Sequence, residues 1–209
     1  MKQYIKINTL YKRDPQDLKK IIEGDFRDET VKYLKDNTWV FTEKIDGTNI
    51  RIHWDGYNVS VGGRTDSAQI PKHLLDYLIQ TFGSMEAEEL FEELFGEKEV
   101  TLFGEGYGPK IQKGGLYRED VSFILFDILI DNIWLTREAV ETIGSRFGID
   151  VVPIILEGTI QQAVDFIKTQ PKSTIGTANM EGVVGRPLVE VFDRLGNRVI
   201  VKIKVKDFC

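Results

Sequence analysis

The chain has 209 residues with 27 basic and 33 acidic side chains, which gives a formal net charge of −6. Its 42% hydrophobic and 29% charged residues are typical of a soluble globular protein, and its length suits one large domain or two small ones. No apolar run approaches the roughly 18 residues that a membrane-spanning helix needs, and no signal-peptide core precedes the first strand signals, so we expect a cytoplasmic protein without membrane contact.

The first half of the chain alternates between strand and helix signals. Leu18–Leu34 mixes apolar and charged residues and indicates short helical pieces, whereas Trp39-Val40-Phe41 is a short apolar run. Alternation through Asn49–Val61, centred on Asp55-Gly56, predicts a β-hairpin. Apolar residues at helical spacing then predict two helices, one with Leu74, Leu75, Leu78, Ile79 and Phe82 before Gly83, the other with Leu90, Phe91, Leu94 and Phe95 before Gly96.

The second half of the chain adds strands and two more helices. Helices are predicted after Thr136, and after the capping box that Thr159 and Gln162 can form. Strands are predicted over Glu99–Phe103, Ser122–Ile130, Val151–Leu156, Val183–Phe192 and Arg198–Val205, and a loop over Pro171–Ala178. We therefore expect one α+β domain built on antiparallel sheets, with the helices packed outside.

The segment Glu43–Asn49 is the first that could carry chemistry. Lys44 directly follows an apolar run, and Gly47 allows a tight turn three residues later. A lysine forms covalent intermediates when its amine is neutral, a form that burial or neighbouring cations favour. The alternative is an ordinary exposed lysine in a turn.

The last predicted strand carries two lysines on one face. Side chains alternate along a strand, so Lys202 and Lys204 lie next to each other. They repel each other unless an anion lies between them, which favours a phosphate site; an edge strand protected by solvated lysines is the alternative. The opposite face is aliphatic, with Val199, Val201, Ile203 and Val205.

Three further segments place a carboxylate or an aromatic ring at a strand: Phe103-Gly104-Glu105-Gly106, Phe126-Asp127 and Glu181-Gly182-Val183-Val184. Each of them alone is equally compatible with a glycine-rich turn or a core position. One cysteine and two histidines exclude a thiolate or histidine-rich metal site. The acidic balance of the chain restricts any nucleic-acid contact to a local basic surface.

In chain order these segments read Lys-x-Asp-Gly, Phe-Gly-Glu, Phe-Asp, Glu-Gly-Val-Val and Lys-x-Lys. The series resembles the five motifs of the covalent nucleotidyltransferases, which comprise the ATP-dependent RNA and DNA ligases and the mRNA-capping guanylyltransferases. Lys44–Asn49 with Gly63-Arg64-Thr65, and Lys6–Leu10 with Arg13-Asp14, most resemble the phage-type RNA ligase branch. The resemblance implies the nucleotidyltransferase (ligase adenylation-domain) fold over residues 1–209.

The resemblance also implies a role for each matching residue. Lys44 would attack the α-phosphate of ATP and carry AMP, while Lys202 and Lys204 would bind that phosphate and favour the neutral form of Lys44. Mg²⁺ or Mn²⁺ would be held through its waters by Asp46, Glu105 and Glu181, of which Glu181 would also be catalytic. The remaining nucleotide contacts would be Glu43 at the adenine edge, Phe126 stacked on adenine, Val183 in the apolar wall, Glu105 near the ribose, and Asn49 and Arg64 beside the phosphates or the nucleic-acid end.

The implied activity is ATP-dependent RNA ligation by a monomer, of the kind used in RNA repair. AMP would pass from Lys44 to an RNA 5′-phosphate, and a 3′-hydroxyl would displace it. Only Lys206–Cys209 follow the Lys-x-Lys strand, so we expect no C-terminal OB-fold or helical domain. The alternatives are a DNA ligase, an mRNA-capping guanylyltransferase, or a catalytically silent module that binds nucleotide or RNA.

Overall fold

The computed structural model describes residues 1–209 and divides into two units, each with its own sheet and apolar core. Unit 1 comprises Met1–Tyr4 and Asp46–Val152, and unit 2 comprises Ile5–Ile45 and Pro153–Cys209. The predicted α+β class with antiparallel sheets is confirmed. No helix in the structure combines the length and the apolar character needed to cross a membrane.

The elements follow one another along the chain with two short 3₁₀ helices, Gly114–Leu116 and Val205–Asp207, among them. The strands are β1 (Asn8–Thr9), β2 (Tyr11–Arg13), β3 (Ile21–Phe26), β4 (Trp39–Lys44), β5 (Thr48–Trp54), β6 (Val59–Gly63), β7 (Val100–Tyr107), β8 (Ser122–Ile130), β9 (Ile133–Trp134), β10 (Asp150–Val151), β11 (Ile154–Gly158), β12 (Gly182–Pro187) and β13 (Val201–Lys204). The α-helices are α1 (Glu29–Tyr33), α2 (Lys72–Phe82), α3 (Met85–Phe95), α4 (Arg137–Phe147) and α5 (Ile160–Lys168).

Unit 1 is built on a sheet with the order β10-β8-β7-β5-β6, and the short strand β9 also pairs with β8. All pairs are antiparallel except β10 with β8. The predicted hairpin is confirmed as β5 and β6, and the Asp55 carboxylate accepts the N–H groups of Tyr57 and Asn58 in its turn. Helices α2, α3 and α4 bury their apolar residues against this sheet.

Unit 2 is built on a five-stranded sheet with the order β1-β13-β12-β4-β11, accompanied by the small sheet β2-β3. Helix α5 begins with the predicted capping box of Thr159 and Gln162, and it buries Val164 and Ile167 in the core that contains Trp39 and Phe41. Because β12 lies between β4 and β13, the chain segments that carry Lys44 and Lys204 flank one strand. This order creates the lysine cluster described below.

Two predicted elements are wrong in type or continuity. Leu18–Leu34 contains the strand β3 before the short helix α1, because pairing with β2 supplies a partner that the weak local pattern does not reveal. The predicted strand Val151–Leu156 is two strands, β10 and β11, that belong to different units. The break falls at Pro153, whose nitrogen has no hydrogen to donate to a sheet.

Two other predicted strands are too long. The strand predicted over Val183–Phe192 ends at Pro187, again where a proline removes a ladder donor. Of the strand predicted over Arg198–Val205, only the residues of β13 form a regular strand. Arg198 pairs with Phe192 in an isolated bridge. The four helices α2 to α5 and the full length of β8 are confirmed.

Candidate active site

Lys44, Glu181 and Lys204 form an ion-pair cluster on one face of the sheet in unit 2. Lys44 ends β4, Lys204 ends β13, and both pair with Gly182 on the strand between them. Glu181 Oε2 accepts from Lys44 Nζ at 2.5 Å, and Glu181 Oε1 accepts from Lys204 Nζ at 2.6 Å. The three side chains retain only 24%, 17% and 16% of their exposure, respectively. A carboxylate of the chain itself therefore lies between the ammonium groups of Lys44 and Lys204.

The electrostatics of Glu181 follow from this position. Burial by itself raises the pKa of the Glu181 carboxyl, but Lys44 and Lys204 together outweigh it. The pKa therefore lies below its ordinary value, and the carboxylate is charged in the folded chain.

Acidification is expected to lower the free energy of unfolding through Glu181. A carboxyl whose pKa is lowered by folding stabilises the folded state above its unfolded pKa of about 4.3, and this contribution disappears as the pH falls through the folded pKa. Urea unfolding between pH 7 and pH 3 measures the effect. Glu181→Gln should lose less stability over the acidic part of this range than the parent chain, whereas Glu92→Gln, at an exposed position of α3, should follow the parent. Parallel curves for Glu181→Gln and the parent would contradict this role.

Lys202 lies one cross-strand row away from the cluster. It pairs with Val184, which in turn pairs with Thr42, so these three residues share the face that carries Lys44. The predicted alternation of β13 is confirmed, because Val201 and Ile203 are buried in the core while Lys202 and Lys204 remain half-buried. Lys202 is thus a second cation on the same face as Lys204. The apolar side chain of Val184 lies next to it, on β12.

Val183 and Glu43 face the opposite side of the sheet. They pair with each other, Val183 is 1% exposed and belongs to the apolar core, and Val184 is the valine on the lysine face. Glu43 is also 1% exposed, and its carboxylate accepts from the hydroxyls of Ser173 and Thr174 and from the Thr174 N–H. The carboxylate of Glu43 is therefore engaged by the loop that precedes Glu181.

The loop contact fixes the end of β4. A buried carboxylate needs several donors to offset its lost hydration, and the two hydroxyls and the amide provide them. The Glu43 N–H also donates to the Pro153 carbonyl at 2.9 Å. Sequence reasoning missed Ser173 and Thr174, whose only signal was a pair of hydroxyl residues in a predicted loop.

In unit 1, Asn49 and Glu105 are direct partners on β5 and β7. The Asn49 Oδ1 atom is buried and accepts no hydrogen bond. Gly47 lies against the same part of β7, since a Cβ at this position would be 2.4 Å from the Gly106 carbonyl oxygen and 2.8 Å from Glu105 Cγ. The backbone N–H of Asp46 donates to the Tyr117 hydroxyl at 3.3 Å. Glu105 and Asn49, whose buried oxygen has no hydrogen-bond partner, thus lie opposite each other on neighbouring strands. Both are close to the turn that carries Asp46.

Phe126 lies at an irregularity in β8. Phe103 pairs with Asp127 and Gly104 pairs with Leu125, so Phe126 is an extra residue that bulges out of the ladder. Its ring is only half-buried and contacts Tyr4 edge-on, with ring centroids 5.1 Å apart. Asp127 beside it is fully buried and accepts from the Tyr4 hydroxyl at 2.7 Å. The bulge thus leaves Phe126 only half-buried between fully buried neighbours.

Arg64 is exposed at the end of β6. The loop that carries it is anchored by the fully buried Arg51, whose guanidinium donates to the Gly63 carbonyl at 2.6 Å and to Asp66 Oδ1 at 2.8 Å. The same guanidinium donates to the carbonyl of Met1 at 3.0 Å. Arg51 was not singled out from the sequence, because an arginine in a strand is ordinarily expected to face solvent.

The carboxylates predicted to hold a metal are hard oxygen ligands of the type that Mg²⁺ and Mn²⁺ prefer. Nowhere in residues 1–209 are three or more His, Cys, Asp or Glu side chains gathered into a metal-binding group. The buried acceptor of Asn49 next to Glu105 would suit a bound water or hydroxyl donor.

Comparison with known proteins identifies the fold and the family. Three similar structures are of the Naegleria gruberi RNA ligase. The protein with PPi has a TM-score of 0.63 at 18% identity over 84% of this chain and 52% of that chain. A variant with ATP and Mn has 0.64 at 17% identity over 86% and 54%, and a variant with AMP and Mn has 0.63 at 19% identity over 84% and 52%.

The chain thus spans about half the length of the structures that it matches, and at these identities the likeness establishes the fold. No curated protein is similar to it in sequence at a significant level. The model of the RNA ligase family matches residues 37–204, from two residues before β4 to the last residue of β13. Because this match covers well over half of its residues, the chain belongs to the RNA ligase family.

Proposed function

We propose that the chain is an ATP-dependent RNA ligase, or the adenylylating part of one, that acts through a covalent AMP on Lys44. The observation that carries the proposal is the cluster in which Glu181 joins Lys44 and Lys204 on one sheet face, in a member of the RNA ligase family. One lysine is the nucleophile, and the other is a fixed cation within reach of the same anion. Residues 1–209 would form the nucleotidyltransferase domain.

In the first step, the Lys44 ammonium leaves its ion pair with Glu181 and loses a proton to solvent, and its amine attacks the α-phosphorus of ATP. A P–N bond forms as the bond to the pyrophosphate oxygen breaks, the nitrogen releases a second proton to solvent, and pyrophosphate leaves. Negative charge grows on the oxygens of the transferred group, and Lys204 and Lys202 are placed on the same face to stabilise it. Preorganised cations contribute most where water is excluded, as at this half-buried site.

The unit 1 residues would bind the nucleotide and the ion. Phe126, which the bulge leaves half-buried, would stack on adenine, and Asn49 and Glu105 would bind ribose or a water of the ion. A divalent ion, Mg²⁺ or Mn²⁺, would neutralise phosphate charge when bound. Asp46, Glu105 and Glu181 would hold its waters, and Arg64 would contact phosphate at the RNA end. Glu43 would act by fixing β4, with its backbone near the base, and Val183 would support the apolar wall from the core.

In the later steps, a 5′-phosphate oxygen of RNA takes the AMP from Lys44, and the P–N bond breaks. A 3′-hydroxyl then attacks the activated phosphate, a phosphodiester forms, and AMP leaves. Such sealing would serve RNA repair, and we propose that the chain performs it as a monomer in the cytoplasm. The structures of the Naegleria gruberi RNA ligase with ATP, AMP, PPi and Mn support the choice of nucleotide and ion.

Intact-protein mass spectrometry after incubation with ATP and Mg²⁺ tests the first step. We expect a gain of about 329 Da, the mass of one AMP, that disappears in Lys44→Ala. Lys32→Ala, at an exposed lysine of the same unit, is the matched control and should keep the gain. Absence of the gain after removal of any AMP acquired during expression would contradict the proposal.

Parallel reactions separate the alternatives. GTP in place of ATP would give the corresponding GMP adduct if the chain were a capping guanylyltransferase. Matched RNA and DNA strands with 5′-phosphate and 3′-hydroxyl ends distinguish RNA from DNA joining. AMP addition without any joining would retain the nucleotidyltransferase chemistry and reject the ligase.

A further inference from the structure

The loop Gly108–Asp120, which follows β7 in unit 1, is built to a fixed shape. Ile111 and Tyr117 are buried at 3% and 5% exposure, and the loop is closed by the hydrogen bond from Gly114 N to Ile111 O at 2.7 Å. Gly108 and Gly114 are packed so closely that a Cβ on Gly114 would be 2.5 Å from the Gly108 nitrogen and oxygen. The shape of the loop therefore depends on buried contacts of its own residues.

Two exposed residues of this loop have a left-handed backbone. Lys110 has φ of 63° and Gln112 has φ of 47°, a conformation that costs a non-glycine residue about 1 kcal/mol. Glycine would remove that cost at either position. Strain of this kind persists where the surrounding structure imposes it, and it directs the two side chains away from the buried Ile111 between them.

The loop presents cations that no carboxylate neutralises. Lys110 and Lys113 are exposed and make no ion pair, whereas many other surface lysines of the chain are paired, including Lys12, Lys72 and Lys168. Arg118 is bound to Asp120 at 2.5 Å, so this pair contributes no net charge. With Glu119 as the remaining carboxylate, the loop is positive on a chain whose net charge is −6.

The loop is joined to the segment that follows the candidate nucleophile. The Tyr117 hydroxyl accepts from the Asp46 N–H at 3.3 Å, and the Pro109 carbonyl lies 3.1 Å from His73 Nε2 on α2. In the chain, one residue separates Asp46 from Lys44. A ligand held by the loop would therefore be held by an element that is fixed to the Asp46 turn.

We propose that Lys110 and Lys113 bind backbone phosphates of the RNA substrate, which makes this loop the local basic surface that an acidic RNA ligase requires. The inference rests on the proposed function. A loop backbone that is already rigid loses little conformational freedom on binding, and each phosphate that the lysines neutralise releases a counterion. The ligand is RNA rather than the triphosphate of ATP, so AMP addition proceeds without these two lysines.

Binding of a fluorescent 5′-phosphorylated RNA 20-mer, measured by anisotropy at several salt concentrations, tests the inference. Lys110→Ala with Lys113→Ala should weaken binding about tenfold at low salt and reduce the slope of log affinity against log salt by about 1.4, since each single-strand phosphate contact contributes about 0.7. Lys19→Ala with Lys98→Ala removes the same charge at two other exposed, unpaired lysines and should change binding less than twofold. Equal slopes and affinities in the two double variants would overturn the inference.

The same variants separate this inference from the proposed function. AMP addition to the Lys110 and Lys113 double variant, followed by intact mass, should match the parent within twofold, while the joining of RNA falls about tenfold at limiting RNA. An equal loss of AMP addition would overturn the inference in favour of ATP as the ligand. Failure of the unmodified chain to add AMP would reject the proposed function, and the RNA affinities would still decide whether the loop binds RNA.

Discussion

Replacement of Lys204 by alanine is expected to slow AMP addition to Lys44 by about 10²- to 10³-fold, the effect of removing one preorganised charge donor from a site of acyl or phosphoryl transfer. Lys204 is the cation nearest to the anion that Lys44 binds, because both ammonium groups contact Glu181. In this variant, Lys202 is the one lysine of β13 that can still stabilise the negative charge that grows on the transferred phosphate. The rate of mass gain in single-turnover reactions at saturating ATP measures this loss.

Lys206→Ala is the matched control, since Lys206 is exposed two residues after Lys204 and lies outside β13. It should leave the rate within twofold. Lys204→Arg keeps the charge but changes its geometry, and it should recover only part of the rate. If Lys204→Ala added AMP at the parent rate, Lys204 would be a partner of Glu181 without a role in charge stabilisation.

Local patterns were sufficient to predict much of the secondary structure. The helices α2 to α5 are confirmed, because apolar spacing and capping residues such as Thr159 act within one or two turns. The hairpin of β5 and β6 is confirmed because Asp55-Gly56 determines its own turn. The alternation of β13 also predicted that Lys202 and Lys204 share the face opposite the core.

The strand order could not be predicted from those patterns. The placement of β12 between β4 and β13 joins residues more than 130 positions apart in the chain, as in the contact of Lys44 with Glu181. The hydrophobic pattern of a segment carries no information about which distant strand that segment will pair with. Nothing in the sequence therefore indicated that Glu181 lies between Lys44 and Lys204, where the structure pairs it with both ammonium groups.

Buried polar contacts were the least predictable part of the site. Glu43 has an acidic side chain at a strand end, and only the structure places it in the core with Ser173 and Thr174. The bulge at Phe126 depends on a register shift against β7 that has no sequence signal of its own. Each of these features is decided by a partner that is distant in the chain, and local sequence patterns do not include such partners.

Gly182→Ala is expected to destabilise the fold by about 3 kcal/mol and to abolish AMP addition. A Cβ at this position would lie 2.1 Å from the Ile203 carbonyl oxygen and 2.8 Å from Lys204 Cα. Both are backbone atoms of the neighbouring strand, which cannot move aside as a flexible side chain can, so β12 and β13 would have to separate. Gly182 also pairs with both Lys44 and Lys204, and their separation would change with it.

Gly115→Ala adds the same methyl group where its closest neighbour, Pro109 Cα, would be at 3.6 Å, an ordinary van der Waals contact. Its stability should stay within about 0.5 kcal/mol of the parent, as is usual for surface changes. Urea unfolding measures both variants, and intact mass measures AMP addition at a temperature where both are folded. A Gly182→Ala chain with parent stability would show that β12 and β13 tolerate separation. If the variant kept the parent stability but lost AMP addition, Gly182 would matter only for the spacing between Lys44 and Lys204.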